Sequence, residues 1–315
     1  MRLFLGVDGG QSGTTALVGD ASGRVLGEGE AGPCNHAAAG EGRAKLERAV
    51  RGSVEAACAA AGFDAASVRF EAACFGMSGG PEDKRDIVAA ILKTERLEVT
   101  NDAVIALTGA MAGGPGIITI AGTGSIALGR NAAGRLARAG GWGYIFGDEG
   151  GAFGIARLAL RAALQMEEGW GPETSLRQAL LDATGAADIN QVLHLFYSPD
   201  WPRSRVARLA TEVDRAAQNS DGVAQKILTQ AAQELALLAA AVRGQLWKTG
   251  EPVEVAYIGG VFQNRTVLER FRLLVEMEEN ARGVSPRFGP AEGALLEAYR
   301  LAGVQARLQP MGSTL

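Results

Sequence analysis

The chain contains little histidine and little cysteine. Two histidines and three cysteines occur among its 315 residues, so chemistry based on histidine is poorly supplied. The cysteines Cys34, Cys58 and Cys74 are odd in number and widely spaced, without the short spacings that are typical of metal sites. We therefore expect free thiols in a reducing compartment, the cytoplasm, rather than disulfides.

The chain also lacks an excess of positive charge and a long apolar run. With 31 basic and 35 acidic residues its formal net charge is −4, which argues against an electrostatic footprint for nucleic acid. No apolar run approaches the roughly 20 residues that a membrane-spanning helix needs. Asp8 follows the first apolar residues too closely for a signal peptide. We expect a cytoplasmic protein that binds neither nucleic acid nor a membrane.

Glycine, by contrast, is abundant, and twice an apolar strand enters a glycine-rich turn and leaves it as a second strand. The first copy covers residues 3–18 and the second covers residues 116–128. Glycine lets the backbone turn tightly and direct successive N–H groups to one point, and serine and threonine add hydroxyl donors. Two such turns facing each other would clamp a polyphosphate.

Both turns differ from the common nucleotide-binding motifs. A P-loop needs a Gly-Lys-Ser/Thr ending and a following helix, whereas residues 9–14 contain no lysine and precede a strand. A dinucleotide fingerprint also needs a helix, but residues 128–131 after the second turn are typical of a hairpin. One turn alone could equally be a plain glycine-rich hairpin. Two copies, together with Gly259-Gly260 after a late strand, favour phosphate binding.

The length allows two domains, and the pattern predicts an α/β fold. A domain boundary is predicted near residues 112–116, where glycine and proline interrupt the pattern, which gives domains of residues 1–112 and 113–289. The second domain carries a nearly all-helical insertion over residues 152–248, and a final helix within about 290–315 could pack back on the first domain. The other predicted elements are strands 3–8, 14–20, 24–30, 70–77, 97–100 and 253–258, with helices at 43–61, after Pro81, after Asp102 and from about 263.

Asn101 and Asp102 stand where a short predicted strand meets a helix. Both residue types favour the N-cap position, so a purely structural role is one interpretation. The other interpretation is that Asp102 accepts a proton from an attacking hydroxyl or orients it. A helix N-terminus keeps a carboxylate ionised, and a loose phosphoryl-transfer transition state needs only a weak base.

Residues 140–151 form a loop rich in glycine and aromatic residues. An indole offers an apolar face for a sugar ring, and carboxylates accept paired hydrogen bonds from sugar hydroxyls. The alternative is a structural loop with buried aromatic residues, in which Asp148 and Glu149 cap the helix that begins near Ala152.

These motifs together resemble a known superfamily. Residues 8–14, 121–125 and 259–262 resemble the two phosphate motifs and the adenosine motif of the actin–hexokinase–chaperone ATPases. More narrowly, residues 140–151 resemble the Gly-Trp-Gly-x-x-x-Gly-Asp-Glu-Gly signature of N-acetylglucosamine kinases, which are grouped with the BadF/BadG/BcrA/BcrD ATPases. The resemblance runs from residue 3 to about residue 300. Where many members have Gly-Gly-Gly-Thr, residues 9–12 are Gly-Gly-Gln-Ser, and the serine keeps the hydroxyl.

The resemblance implies two actin-like (ribonuclease H-like) domains with a nucleotide cleft between them. It implies an ATP- and Mg²⁺-dependent kinase that acts on a small amino sugar, first of all on the 6-hydroxyl of N-acetylglucosamine. Glucosamine, N-acetylmuramic acid, N-acetylmannosamine and glucose stay open as acceptors, and so does a homodimer. A different alternative is an ATPase of the dehydratase-activator type, but such proteins need cysteine ligands for an iron–sulfur cluster, and no cysteine follows Cys74.

The resemblance also assigns roles to individual residues. Asp102 would be the catalytic residue, and Asp8 would hold Mg²⁺, through water. The residues implied at the nucleotide are Asp8, Gly9, Gly10, Ser12, Gly13, Thr14, Gly122, Thr123, Gly124, Ser125, Gly259 and Gly260. The residues implied at the sugar are Asn35, Ser78, Asp102, Gly141, Trp142 and Asp148.

Overall fold

The computed structural model describes residues 1–10, 12–34, 42–79 and 84–309. Its strands are β1 (Leu3–Gly9), β2 (Thr14–Asp20), β3 (Val25–Ala31), β4 (Phe70–Met77), β5 (Thr94–Asn101), β6 (Gly116–Ala121), β7 (Ser125–Arg130), β8 (Leu136–Gly140), β9 (Val253–Ile258) and β10 (Ala281–Val284). Its helices are α1 (Gly42–Ala60), α2 (Arg85–Ile91), α3 (Asp102–Ala110), α4 (Ala152–Glu167), α5 (Leu176–Thr184), α6 (Ile189–Tyr197), α7 (Arg203–Ala207), α8 (Ala210–Gln218), α9 (Gly222–Leu246), α10 (Arg265–Glu276) and α11 (Pro290–Leu301), with a 3₁₀ turn at Gly260–Gln263.

The chain divides into two compact units. One unit is Met1–Gly114 together with the chain from Ser285 onward, and the other is Pro115–Val284. The predicted boundary after residue 112 lies two residues before this division. In the first unit α11 packs on α3 and β1.

Each unit contains one five-stranded sheet, and the two sheets repeat one topology. The strand order is β3-β2-β1-β4-β5 in the first unit and β8-β7-β6-β9-β10 in the second. In both sheets the first three strands are an antiparallel meander, and the last two strands are parallel to the central one. The meander in each unit contains a glycine-rich turn between its first two strands, as the sequence predicted.

Strand β1 shows why the first sheet is covered on both faces. Its side chains alternate, so that Leu3, Leu5 and Val7 join the core on the α1 side while Phe4 joins the core on the α11 side. A strand that buries both faces reads as a nearly continuous apolar run, which is the pattern at the start of the chain. In the second unit the core lies between the sheet and the helices of residues 152–246.

Strands β8 and β10 were not predicted. They are the edge strands at the two opposite ends of the second sheet, and Leu136 and Arg138 of β8 are exposed, so this strand shows no apolar alternation. Strand β10 has only four residues. The predicted helix start at Pro81 lies outside the described residues, and α2 begins at Arg85. Among the described residues, no helix is long and apolar enough to cross a bilayer.

Candidate active site

The register of the first sheet brings three polar side chains to one edge. The last residues of β1, β4 and β5 are aligned, because Gly9 pairs with Met77 and Met77 pairs with Asn101. Since carboxyl ends of parallel strands share a sheet edge, Asp8, Ser78 and Asp102 leave the sheet side by side. Two hydrogen bonds join the ends of these strands: Ser78 Oγ donates to Asp102 Oδ2 at 2.8 Å, and Ser78 N–H donates to the Gly9 carbonyl at 3.1 Å.

Asn101, not Asp102, is the N-cap of α3. Its extended backbone (φ −84°, ψ 159°) places Oδ1 so that it accepts the Val104 N–H at 2.9 Å. Asp102 is the first residue of the helix, and its carboxylate receives the Ser78 hydroxyl instead. Asn101 therefore caps the helix, and the carboxylate of Asp102 is not used as a cap and stays available for chemistry.

Asp8 has the properties of a carboxylate without a cationic partner. It is half-buried at the end of β1, and within the described part of the chain it makes no ion pair. Burial, and secondly the negative charge of Asp102, raise the pKa of Asp8 to about 6. A divalent cation beside these two carboxylates would remove that penalty.

The first glycine turn is closed by backbone hydrogen bonds. Gly10 N–H donates to the Gly13 carbonyl at 2.9 Å, and Cys34 N–H donates to the Gly10 carbonyl at 3.0 Å. Ser12 is exposed, so its hydroxyl is available to a ligand. A Cβ on Gly9 would lie 2.4 Å from the sulfur of Met77, so that glycine allows close packing of the turn on β4.

The hydroxyl of Thr14, which was predicted to contact phosphate, is bonded within the protein instead. The side chain is buried, and its Oγ1 donates to the Gly32 carbonyl at 2.8 Å and lies 3.0 Å from Cys34 Sγ. Because the hydroxyl proton goes to Gly32, the thiol of Cys34 donates to Thr14. Thr14 therefore links the glycine turn to the segment of Gly32 and Cys34. Asn35, the next predicted sugar contact, lies outside the described residues.

The second glycine turn is built into the start of α4. Gly122 N–H closes the turn on the Gly124 carbonyl at 3.0 Å, and the N–H groups of Ala152 and Phe153 donate to the carbonyls of Gly122 and Thr123 at 2.9 and 3.0 Å. Ser125, predicted to contact phosphate, uses its donors within the unit instead. Its N–H lies 3.4 Å from Asp148 Oδ1, and its hydroxyl donates to the Glu149 carbonyl.

A cavity of about 550 Å³ opens beside this turn. A Cβ on Gly122 or on Gly260 would meet nothing within 4 Å, so both glycines face open space where a side chain would intrude. Gly259 has φ +111°, and a Cβ there would lie 2.2 Å from the Ala121 carbonyl oxygen. Only glycine fits that position. The predicted adenosine motif thus lines a real cavity.

Sequence reasoning missed most of the polar side chains that line this cavity. They come from α7, α8 and the start of α10, and they include Ser204, Arg208, Thr211, Asp214 and Asn264. Asn264 caps α10 by accepting the Val267 N–H at 2.8 Å, and its amide donates to Asp214 at 2.6 Å. No local motif marks such residues, because the helices meet only in the folded unit.

The loop of residues 140–151 has exposed, not buried, aromatic residues. Trp142 is 64% exposed, and the guanidinium carbon of Arg138 lies 4.2 Å from its ring centroid. The N-cap of α4 is Gly151, which offers no side-chain cap, so the purely structural interpretation of Asp148 and Glu149 as a helix cap does not apply. The exposed indole leaves apolar surface for a ligand.

Asp148 is the buried member of this loop. It has φ +63°, and its carboxylate contacts the second glycine turn, because a Cβ on Gly124 would lie 2.4 Å from its Oδ2. Arg203 Nη2 lies 3.4 Å from Oδ2, an ion pair that the sequence did not predict. Gly141 has φ +71°, and its N–H donates to the Ser125 carbonyl at 2.9 Å. The structure thus brings Gly141, Asp148 and the turn together.

The chain is similar to known proteins over almost its whole length. The family described as BadF/BadG/BcrA/BcrD ATPases matches residues 5–298. The chain is 32% identical to the N-acetylmuramic acid/N-acetylglucosamine kinase of Clostridium acetobutylicum, over 95% of this chain and 98% of that protein. It is 30% identical to the N-acetyl-D-glucosamine kinase of Dictyostelium discoideum, over 94% of this chain and 98% of that protein.

Among solved structures, one from Chromobacterium violaceum, described as a candidate N-acetylglucosamine kinase, has a TM-score of 0.75 and 29% identity. The match covers 96% of this chain and 99% of that one. The predicted fold class, an α/β protein of two actin-like domains, is confirmed by these matches together with the two five-stranded sheets.

Proposed function

Since the chain belongs to the BadF/BadG/BcrA/BcrD ATPase family, we propose that it is an ATP-dependent sugar kinase whose acceptor is an amino sugar. The observation that carries this proposal is the hydrogen-bonded pair of Ser78 and Asp102 beside Asp8, at the carboxyl edge of the first sheet. A carboxylate held in this way can orient the hydroxyl of an acceptor and accept its proton. The names of the two curated relatives support the same class of acceptor.

The proposed acceptor atom is the 6-hydroxyl of N-acetylglucosamine. Asp102 accepts the hydroxyl proton as the sugar oxygen forms its bond to the γ-phosphorus and the bond to the β-phosphate oxygen breaks, which releases ADP. Ser78 donates to Oδ2 of the same carboxylate and so holds its orientation. The other proposed sugar contacts come from Gly141, Trp142 and Asp148. The alternative acceptors are N-acetylmuramic acid and glucosamine.

The residues present fit ATP and Mg²⁺. Gly122 and Gly260 leave open space at the cavity, and Gly259 lets the backbone before Gly260 pack closely against β6. Asp8, with Asp102 beside it, is an oxygen donor of the kind that Mg²⁺ prefers, and burial and the negative charge of Asp102 raise its pKa. The metal would neutralise phosphate charge, and the turn N–H groups and the Ser12 and Thr123 hydroxyls would position the phosphates.

A coupled ADP-release assay tests the proposal. Wild-type protein, Asp102→Asn and the control Asp86→Asn, an exposed aspartate of α2, are compared with N-acetylglucosamine, N-acetylmuramic acid, glucosamine, N-acetylmannosamine and glucose. We expect ADP release that depends on sugar, lost in Asp102→Asn with sugar binding retained, and unchanged in Asp86→Asn. ADP release that needs no sugar and survives Asp102→Asn would overturn the kinase proposal and favour the dehydratase-activator type of ATPase.

A further inference from the structure

Arg203 makes two contacts with the loop of residues 140–151. It is the first residue of α7, and its Nη2 lies 3.4 Å from Asp148 Oδ2. Its guanidinium carbon also lies 5.4 Å from the ring centroid of Tyr144. One cationic side chain, more than 50 residues further along the chain, therefore contacts both a carboxylate and an aromatic ring of the loop.

Asp148 needs such a partner for two reasons. Its carboxylate is only 7% exposed, and a buried carboxylate without a counter-charge is costly. Its backbone has φ +63°, which costs an L-residue roughly 1 kcal/mol and persists only where the surroundings impose it. Among the described residues, Arg203 is the cation within ion-pair distance of Asp148. Asp148 thus combines a strained backbone with a buried carboxylate, and Arg203 supplies the opposite charge.

The carboxylate of Asp148 also contacts the second glycine turn. Its Oδ1 faces the Ser125 N–H at 3.4 Å, and its Oδ2 packs on Gly124, where a Cβ would lie 2.4 Å away. The same loop is tied to the turn at both ends. Gly141 N–H donates to the Ser125 carbonyl, and the Ala152 N–H donates to the Gly122 carbonyl, each at 2.9 Å. A shift of the loop must therefore move the turn.

We propose that Arg203 is a positioning residue that couples the loop of residues 140–151, which carries the proposed sugar contacts, to the second glycine turn. By holding Asp148 between the loop and Gly124-Ser125, it makes the acceptor contact and the nucleotide contact parts of one element, so that each substrate improves the binding of the other. This inference rests on the proposed function, because it concerns the sugar role of Asp148. It adds a residue and a form of cooperativity that no local motif indicates.

The test compares Arg203→Ala, Arg203→Gln and Arg203→Lys with the control Arg205→Ala. Arg205 lies on the same helix, and its guanidinium carbon stacks 4.2 Å from the ring centroid of Trp201, so the control removes an equivalent cation–π contact away from the loop. The measurements are KM for N-acetylglucosamine, KM for ATP, kcat, and the Kd for a non-hydrolysable ATP analogue with and without saturating sugar. Circular dichroism and a melting curve establish that each variant is folded.

For Arg203→Ala and Arg203→Gln we expect a rise of roughly tenfold or more in the KM for sugar. We also expect the factor by which sugar lowers the Kd for the ATP analogue to fall towards one. Arg203→Lys keeps the charge and should restore most of the sugar KM. Arg205→Ala should behave as wild type. If Arg203→Ala does not fold, the inference is tested by comparing Arg203→Gln with Arg203→Lys in their KM for sugar and in the factor by which sugar lowers the Kd for the ATP analogue.

Two results would overturn the inference. One is a folded Arg203→Gln variant whose sugar KM and sugar–nucleotide coupling equal those of wild type. The other is a Gln variant whose defect is only a lower melting temperature, matched by Lys. Failure of the proposed function looks different, because wild-type protein itself would then show no ADP release that depends on sugar.

Discussion

Ser78 and Asp102 are joined by a hydrogen bond of 2.8 Å from Oγ to Oδ2, although 24 residues separate them in the chain. They meet because β4 and β5 are parallel and end in register, with Met77 opposite Asn101. The hydroxyl has one proton to donate, and it donates it to the carboxylate that we propose as base.

This pair predicts that Ser78→Ala and Asp102→Asn act on one interaction. Ser78→Ala should lower kcat by roughly tenfold, whereas Asp102→Asn should lower it by roughly a hundredfold or more. In the double variant the two losses of kcat should not multiply, because without the Asp102 carboxylate Ser78 no longer orients a base. The measurement is a double-mutant cycle on kcat at saturating sugar. Ser67→Ala, which removes an exposed hydroxyl that donates to the Asp64 carbonyl, is the control. Losses that multiply would show that Ser78 acts independently of Asp102.

Asn101 should prove to be a structural residue. Asn101→Ala removes the acceptor for the Val104 N–H and should lower the free energy of unfolding by about 1 kcal/mol. Asp102→Asn leaves that cap in place, so its melting temperature should stay near that of wild type while its turnover is lost. Thermal unfolding and the ADP-release assay, run on both variants, separate the two effects. A larger loss of stability for Asp102→Asn than for Asn101→Ala would contradict the assignment of the cap.

The raised pKa of Asp8 predicts that the free energy of unfolding decreases as the pH rises. Its pKa rises from an ordinary 3.8 to about 6 on folding, so the folded protein holds this proton more tightly than the unfolded chain does. The resulting stabilisation is complete below about pH 4 and is lost as the pH rises through about 6. Asp8→Asn should therefore be more stable than wild type at pH 8, by up to about 3 kcal/mol, and similar to it near pH 4. Urea unfolding at the two pH values measures this difference.

The same residue predicts a response to magnesium. At pH 8 Mg²⁺ with ADP should raise the melting temperature of wild type more than ADP with EDTA does, because the cation offsets the buried charge. Asp8→Asn should lose most of that increment, and the exposed control Asp86→Asn should keep it. An equal response to Mg²⁺ in wild type and Asp8→Asn would show that the metal is held elsewhere.

The glycines of the second unit should respond to alanine in three ways. Gly122→Ala puts a methyl group into open space at the cavity, so it should fold normally and raise the KM for ATP by roughly tenfold. Gly259→Ala places Cβ 2.2 Å from a carbonyl oxygen at φ +111°, so it should lower the melting temperature or prevent folding. Gly244→Ala, exposed within α9, should leave KM unchanged and raise stability by about 0.5–1 kcal/mol. A Gly122→Ala variant with an unchanged KM for ATP would argue against nucleotide at this cavity.

Much of the fold could be predicted because its signals are local. Apolar runs and glycine turns indicated the meanders of β1–β3 and of β6–β7. The parallel strands β4 and β9 were predicted with the bounds that the structure has, whereas β5 begins three residues before its predicted start and ends one residue later. The edge strands β8 and β10 were missed because an edge strand buries little and needs no apolar alternation. At the candidate site, the sequence predicted a helix cap at Asn101 or Asp102 and a catalytic role for Asp102, and only the structure showed that Asn101 is the cap.

The sequence by itself determined where the backbone must turn tightly, which strands are buried, and which family of motifs the chain carries, because glycine geometry and the period of a strand act within a few residues. Only the tertiary structure decided which polar side chains are bonded to partners within the protein. Thr14 and Ser125 have the right hydroxyls, yet their protons go to the carbonyls of Gly32 and Glu149. Asp148 is held by Arg203, which lies 55 positions away. Such choices depend on partners that folding brings together from distant parts of the chain, and no local pattern encodes them.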